Sequence, residues 1–161
     1  MNSGIGMADK FKKPFTQQEP LPEDAIAAAV AVLRSGRLHR YNVLDGEVSE
    51  TALLEQEFAA YLGVPYCLAT ASGGTAMQVA MAACEVGPGD KVLTNAFTLS
   101  PVPGAIHAVG GVPVLVETTE NLVIDLDDLE TKARSSGAKY LMVSHMRGHL
   151  ADMEALAALC A

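Results

Sequence analysis

Short apolar runs alternate with longer amphipathic runs along most of this chain. Four short runs predict β-strands because they are nearly continuous in apolar residues, and they lie at 66–70, 91–95, 112–117 and 139–145. The longer runs have the spacing of apolar residues expected of helices, and they lie at 23–35, 50–62, 75–86, 100–109, 125–134 and 151–161. From residue 66 onward, strands and helices therefore alternate.

Helix start and stop signals support this assignment at the first two helices. Gly36 and Gly63 follow the last periodic residues and are typical C-terminal stops, and Ser49 is a typical N-cap for the second helix. Residues 37–49 between the two helices have no clear period and predict a loop. Residues 87–90, with the sequence GPGD, predict a tight turn before the strand at 91–95.

The alternation predicts an α/β fold. Strands that are apolar throughout are typical of a parallel sheet covered on both faces, so we expect three layers, with helices on both sides of a mostly parallel sheet. We expect a polar N-terminal leader at 1–21 and a single domain over 22–161.

The end of the chain lies inside an apolar-periodic helix with no stop signal. We therefore expect the sheet to be incomplete. An uncovered strand edge and apolar helix faces favour association, so an oligomeric or poorly soluble chain is expected.

Composition narrows the class of protein. The 161 residues include 19 acidic and 11 basic side chains, a net charge of −8, which argues against a nucleic-acid or anionic-membrane surface. The one basic cluster, Lys10, Lys12 and Lys13, belongs to the predicted leader. No apolar run reaches the roughly 18 residues that cross a bilayer, and the N-terminus lacks the apolar segment of a signal peptide.

The three cysteines, Cys67, Cys84 and Cys160, lie far apart and form no CxxC pair. This pattern indicates no disulfide framework and favours a reducing, cytoplasmic compartment. As free thiols, they are expected to behave as small buried hydrophobic residues.

A glycine-rich turn is the first candidate for chemistry. Ser72, Gly73, Gly74 and Thr75 lie between a predicted strand and a predicted helix. Ligands of open parallel sheets bind at the carboxyl ends of the strands, and a helix N-terminus offers free N–H groups to a phosphate. The alternative is a turn that uses glycine only for its backbone freedom, with Thr75 as a cap.

Two further segments follow predicted strands. Phe97 comes directly after the strand at 91–95, where its ring either stacks on a flat cofactor or packs as core. His145, Arg147 and His149 follow the last strand and suit acid–base work or anion binding, with ordinary loop roles as the alternative. A metal site is not indicated, because no cysteine or further histidine accompanies the pair.

Together these segments resemble the DegT family of sugar aminotransferases, which are fold-type I pyridoxal phosphate enzymes. The order and spacing of the motifs carry the resemblance more than any one of them. They are 33–38 (LRSGRL), 54–63 (LEQEFAAYLG), 72–77 (SGGTAM), 87–92 (GPGDKV), 96–98 (AFT), 111–114 (GVPV), and 144–145 (SH) with 152–153 (DM).

The resemblance implies that the chain is the N-terminal part of the large domain of such an enzyme, with pyridoxal 5′-phosphate as cofactor. It implies that the turn at 72–75 holds the cofactor phosphate and that Phe97 stacks on the pyridine ring. It also implies an amino acid as amino donor, a keto-sugar nucleotide as acceptor and a homodimer, in which the loop at 37–49 reaches the neighbouring subunit.

Two departures from the family pattern limit this transfer. The family usually has Ser-Gly-Thr in the turn, whereas Gly74 takes the position of the threonine here and Thr75 follows it. The backbone donors survive that change, but one hydroxyl contact does not transfer. Met146 and Arg147 replace the usual Leu-Tyr pair, so no family role is assigned to that loop.

No catalytic residue is assigned within the chain. The family's Schiff-base lysine and the acid that pairs with the pyridine nitrogen are expected beyond Ala161, and none of the chain's lysines has the family context. Without that lysine, the chain alone is expected not to transaminate. Two alternatives stay open: a non-catalytic remnant that binds cofactor or pairs with a full-length partner, and a family member that acts as a sugar dehydratase.

Overall fold

The computed structural model describes Pro14, Thr16 and residues 18–161. The predicted leader at 1–21 lies largely outside these described residues, as do its three lysines. The chain divides between Cys67 and Leu68 into two compact units.

The first unit contains two helices of 13 residues, α1 (Glu23–Ser35) and α2 (Glu50–Leu62). Both end as the sequence predicts, since Gly36 and Gly63 adopt left-handed φ values of 70° and 68°, a conformation that glycine reaches without steric cost. The Ser49 hydroxyl accepts the Ala52 N–H at 3.2 Å, so the predicted cap of α2 is confirmed.

Ion pairs tie the loop between these helices to itself and to α2. The Arg40 guanidinium donates to both carboxylate oxygens of Glu55 in α2, at 2.9 and 2.6 Å. Arg37 pairs with Glu47 at 3.1 Å within the loop. A two-bond arginine–carboxylate pair fixes orientation as well as distance, so the loop is held against its own helix.

The second unit alternates helices and strands, as the sequence predicts. No helix among the described residues has both the length and the apolarity needed to cross a membrane. In chain order the elements are α3 (Gly73–Ala83), β1 (Lys91–Asn95), α4 (Pro101–Ala108), β2 (Val112–Val116), α5 (Leu126–Ser136), β3 (Tyr140–Met142), a 3₁₀ turn (Met146–Gly148) and α6 (Met153–Cys160).

The three strands form one parallel sheet in the order β2-β1-β3. Leu93 of β1 lies opposite Val114 of β2 and Leu141 of β3. The middle strand is therefore hydrogen-bonded on both sides, and its side chains alternate between the two faces of the sheet.

Each face of β1 carries its own core cluster. Val92 packs with residues of α3 and α4, including Met81 and Ile106. Leu93 packs on the other face with Leu129 of α5 and Leu156 of α6. Helices thus cover both faces, and the predicted three-layer α/β fold with a parallel sheet is confirmed.

One predicted strand is wrong and another is too long. Residues 66–70 form no strand in the described structure, and Tyr66 and Leu68 are 87% and 57% exposed. A strand is assigned only where neighbouring backbones form a ladder of hydrogen bonds, and the described residues show no such ladder at 66–70. β3 covers 140–142 instead of 139–145, partly because the Ser144 N–H donates to the Asn95 side chain instead of a strand.

The cysteines are not buried as expected. Cys67 is half-buried, and Cys84 and Cys160 are exposed. The latter two line an apolar groove of about 540 Å³ that runs along β3 beside Tyr140 and Met142. Their sequence context is apolar, but β3 is the edge strand of the sheet that the described residues form, so the side chains near this edge stay uncovered.

Burial predicts a large difference between two leucines on adjacent strands. Leu93 is 4% exposed, whereas Leu115 is 51% exposed. We expect Leu93→Ala to lower the free energy of unfolding by about 2–5 kcal/mol, because it removes buried methyl groups and leaves a cavity. The matched substitution Leu115→Ala should cost less than about 1 kcal/mol. Urea denaturation of both variants measures this, and equal losses would contradict the assignment of the core.

A carboxylate joins α5 to the end of β2. Asp128 accepts the Glu117 backbone N–H at 2.7 Å and pairs with Lys132 at 2.7 Å. The bond from Glu117 and the nearby Lys132 ammonium lower the pKa of Asp128 below its ordinary value of 3.8, although burial opposes this shift.

The lowered pKa predicts a specific loss of stability in acid. The folded state holds Asp128 ionised more strongly than the unfolded state does, so the stabilisation is present above pH 3.8 and is lost as the pH falls through the folded pKa. We expect Asp128→Asn to be less stable at neutral pH and to lose less stability on acidification than the parent. Urea denaturation at a series of pH values measures this, and parallel pH curves would refute the role of Asp128.

Candidate functional site

The carboxyl ends of β1 and β3 form a switch point in the sheet. β1 leads into α4 on one face, whereas the adjacent β3 leads into α6 on the opposite face. Connections that leave two neighbouring strands toward opposite faces open a crevice between them, and this is where open α/β sheets bind ligands. Phe97 follows β1 and Ser144 follows β3, so both lie at this crevice.

The N-terminus of α3 lies toward the same edge of the sheet. The C-terminal half of α3 packs near the start of β1, since Met81 and Val92 share a core cluster and a turn at 87–90 joins the two elements. Eleven helical residues at about 1.5 Å each span nearly the same length as five strand residues at about 3.3 Å each. The turn at 72–75 lies at the other end of α3 from Met81, so the lengths of the two elements are consistent with its lying toward the carboxyl end of β1.

Ser72 caps α3 through two of its atoms. Its hydroxyl accepts the Thr75 N–H at 3.1 Å, and its carbonyl accepts the Ala76 N–H at 2.9 Å. The hydroxyls of Ser72 and Thr75 are also bonded to each other at 3.0 Å. The sequence named Thr75 as the cap of this turn, which is wrong: the cap is Ser72, and Thr75 is its hydrogen-bond partner.

Three donors in this turn keep free hydrogens. The N–H groups of Gly73 and Gly74 have no hydrogen-bond partner among the described residues. Whichever of Ser72 and Thr75 donates in the hydroxyl pair, the other keeps a free O–H. The helix dipole adds positive potential at the same place, so the turn can bind an anion such as a phosphate.

The conformation of the two glycines does not require glycine. Neither has a positive φ. A Cβ at Gly73 would meet nothing within 4 Å, and one at Gly74 would meet only the Ser72 hydroxyl, at 3.7 Å. Backbone freedom therefore does not explain these residues, and the space in front of the two N–H groups stays clear.

Asn95, the last residue of β1, connects the two loops that border the crevice. It is fully buried, and its Nδ2 donates to the carbonyl oxygens of Phe97 at 2.8 Å and Ser144 at 3.2 Å. Its Oδ1 accepts the Ser144 N–H at 2.8 Å, and a hydroxyl pair joins Thr98 to Ser144 at 2.6 Å. The two loops that border the crevice are thus connected directly. Asn95 was not singled out from the sequence, although a polar residue that ends an apolar strand run was a usable signal.

The histidines of the last loop differ in their surroundings. His145 is half-buried, and its Nδ1 accepts the Ala151 N–H at a long distance of 3.5 Å. Arg147 and His149 are exposed, and Arg147 has a φ of 54°. The acid–base and anion-binding roles of these residues stay predictions. The described residues include no cluster of side chains suited to a metal ion.

Comparisons with known proteins agree on one family. The model of the DegT/DnrJ/EryC1/StrS aminotransferase family matches residues 21–161. The chain is 36% identical over 126 residues to dTDP-3-amino-3,6-dideoxy-alpha-D-galactopyranose transaminase of Aneurinibacillus thermoaerophilus, covering 78% of this chain and 32% of that protein. It is 33% identical over 142 residues to L-glutamine:2-deoxy-scyllo-inosose aminotransferase of Streptomyces paromomycinus, covering 88% of this chain and 33% of that protein.

Solved structures show the same relation. Spr1654 of Streptococcus pneumoniae, solved in its pyridoxal-phosphate (PLP) form, superposes with a TM-score of 0.78 at 27% identity, over 92% of this chain and 36% of that one. The chain spans about a third of the length of the relatives it matches.

The buried end of β1 also predicts a contrast between two threonines. The Thr94 hydroxyl is buried without a partner among the described residues, whereas the Thr98 hydroxyl is bonded to Ser144. We expect Thr94→Val to keep or raise the free energy of unfolding, by up to about 1 kcal/mol, and Thr98→Val to lower it by about 1 kcal/mol. Thermal or urea denaturation measures both, and a marked loss in Thr94→Val would mean that its hydroxyl has a partner.

Proposed function

The chain belongs to the DegT/DnrJ/EryC1/StrS aminotransferase family, and on this basis we propose that it forms the cofactor-binding part of a PLP-dependent sugar aminotransferase. The observation that carries the proposal is the turn at 72–75, where two N–H groups and one hydroxyl hydrogen that have no partner among the described residues lie at a helix N-terminus. Glycine is not needed there for the backbone, but it leaves room for an anion.

The phosphate of the cofactor fits this turn by charge and by donor count. A phosphate carries up to two negative charges and accepts several hydrogen bonds. The N–H groups of Gly73 and Gly74 provide two donors for these bonds. The Ser72–Thr75 pair provides the third through its free hydroxyl hydrogen. The hydroxyl contact that the family places at the position of Gly74 is thus supplied from a neighbouring residue.

The Phe97 ring is proposed to lie against the pyridine ring. Its position after β1 puts it at the crevice, and it is only half-buried, so part of the ring remains available for contact. When bound, PLP supplies the carbonyl group that takes up nitrogen and a ring that withdraws electrons from the reacting carbon. The residues of this chain bind and orient the cofactor.

The lysine of the reaction is proposed to come from residues outside this chain. Among the described lysines, Lys91 and Lys139 lie at the opposite end of the sheet, at or before the first residues of β1 and β3. Lys132 lies in α5, where it pairs with Asp128. The relatives are about three times as long, and we place the lysine in the part that this chain does not span.

We propose an amino acid as donor and a keto-sugar nucleotide as acceptor, in a dimeric cytoplasmic enzyme. The names of the relatives support a keto-sugar type of acceptor, since one is a dTDP-sugar transaminase and another acts with L-glutamine on 2-deoxy-scyllo-inosose.

Gly74→Ala separates the binding role of the turn from its structural role. In a helix, alanine replaces glycine with a gain of up to about 1 kcal/mol, and a Cβ at Gly74 meets no close neighbour. We therefore expect the variant to be at least as stable as the parent. We also expect it to bind PLP about tenfold more weakly or worse, because the methyl group blocks a charge-assisted hydrogen bond. Titration of the chain with PLP, followed by absorbance, measures the binding.

Gly104→Ala is the matched control. Gly104 lies inside α4, and a Cβ there meets nothing within 4 Å. This variant should gain stability without a change in PLP affinity. Inorganic phosphate should compete with PLP in the parent chain. Unchanged PLP affinity in Gly74→Ala, or no effect of phosphate, would sink the assignment of the turn.

A further inference from the structure

The Asn95 side chain makes three hydrogen bonds, and none of them belongs to the backbone ladder of β1. Both Nδ2 hydrogens and Oδ1 are used, and all three bonds go to backbone groups beyond the strand ends, those of Phe97 and Ser144. A buried amide is costly unless it is bonded in this way. The other face of the same strand end has a buried hydroxyl, on Thr94, with no partner among the described residues, so burial at this place does not by itself produce such bonds.

We infer that Asn95 is a positioning residue, which sets the Phe97 ring against the cofactor by holding the Phe97 carbonyl and the loop after β3. This inference rests on the proposed function. Asn95 is thereby added to the site as a residue that acts through Phe97 and does not itself contact the cofactor.

The need for such a residue follows from where Phe97 lies. Residues 96–98 form bends outside any strand or helix, and the last ladder-like bond runs from the Ala96 N–H to the Val116 carbonyl at 2.8 Å. Beyond that bond, Asn95 holds the backbone at Phe97, and the Thr98–Ser144 hydroxyl pair holds the next residue. Stacking depends on the distance and the lateral offset between the two rings. If the loop that carries Phe97 were loose, ordering it on binding would cost entropy and would weaken the affinity for the cofactor.

The bonds to Ser144 anchor the Asn95 side chain to the segment that follows β3. Ser144 follows β3, which is paired with β1 in parallel register, and its N–H and C=O are both bonded to Asn95. The side chain therefore links the loops that follow two hydrogen-bonded strands. The Phe97 carbonyl is therefore held relative to the sheet.

A double-mutant cycle tests this role. The 161-residue chain and its variants Asn95→Leu, Phe97→Leu and the double variant are titrated with PLP, and the circular dichroism of the bound cofactor is recorded. Each single variant should bind about three- to tenfold more weakly, which is the scale of one lost ring contact. Since Asn95 acts through Phe97, the double variant should bind no more weakly than the weaker single variant.

Leu93→Ala controls for loss of stability. It should destabilise the same strand while leaving the Asn95 bonds in place, so its PLP affinity should stay within about twofold of the parent under conditions where both are folded. Asn95→Asp is the second variant, in case the leucine is not tolerated. It keeps an acceptor for the Ser144 N–H and loses the donors, so PLP binding should weaken while hydrogen exchange of the Ser144 amide stays slow.

The outcomes distinguish the two proposals. Parent-like affinity and dichroism in both Asn95 variants, or additive losses in the cycle, would overturn the positioning role alone. An equal loss in Leu93→Ala would also overturn it, because the effect would then follow stability. If the unsubstituted chain binds no PLP, the proposed function fails, and the positioning role fails with it.

Discussion

The enclosure of β1 is the constraint on which the rest of the second unit depends. This strand is paired on both edges and covered on both faces, with Val92 and Leu93 buried in separate clusters. The chain leaves β1 toward one face and β3 toward the other, which places a switch point between these two strands. The location of the candidate site is thus a consequence of how the middle strand is buried.

The chemistry of the site comes mainly from backbone groups. A helix that begins at the carboxyl edge of a sheet has unpaired N–H groups at its first turn, and Ser72 satisfies only the later ones. Gly73 and Gly74 leave their N–H groups accessible, so no charged side chain is needed to attract a phosphate. This agrees with a chain whose net charge is −8.

The residues that hold the loops at the crevice were the hardest to predict from the sequence. The glycine turn has a local signature, and Phe97 stands directly after an apolar strand. Asn95 has neither, because its partners are backbone groups at Phe97 and Ser144, and the latter is 49 residues away in sequence. The same limit explains the wrong strand at 66–70, since the apolar character of the segment gives no information about whether another strand lies beside it to form a ladder.

The sequence by itself determined the order of elements from α3 onward, the helix ends at Gly36, Ser49 and Gly63, the parallel three-layer architecture and the position of the glycine turn. These features depend on the spacing of apolar residues and on local backbone preferences, which neighbouring residues specify. Only the tertiary structure decided which strands pair, how far β3 extends, which cysteines are covered and how Asn95 joins two loops. Those outcomes depend on hydrogen bonds and contacts between distant residues, and no local pattern encodes their partners.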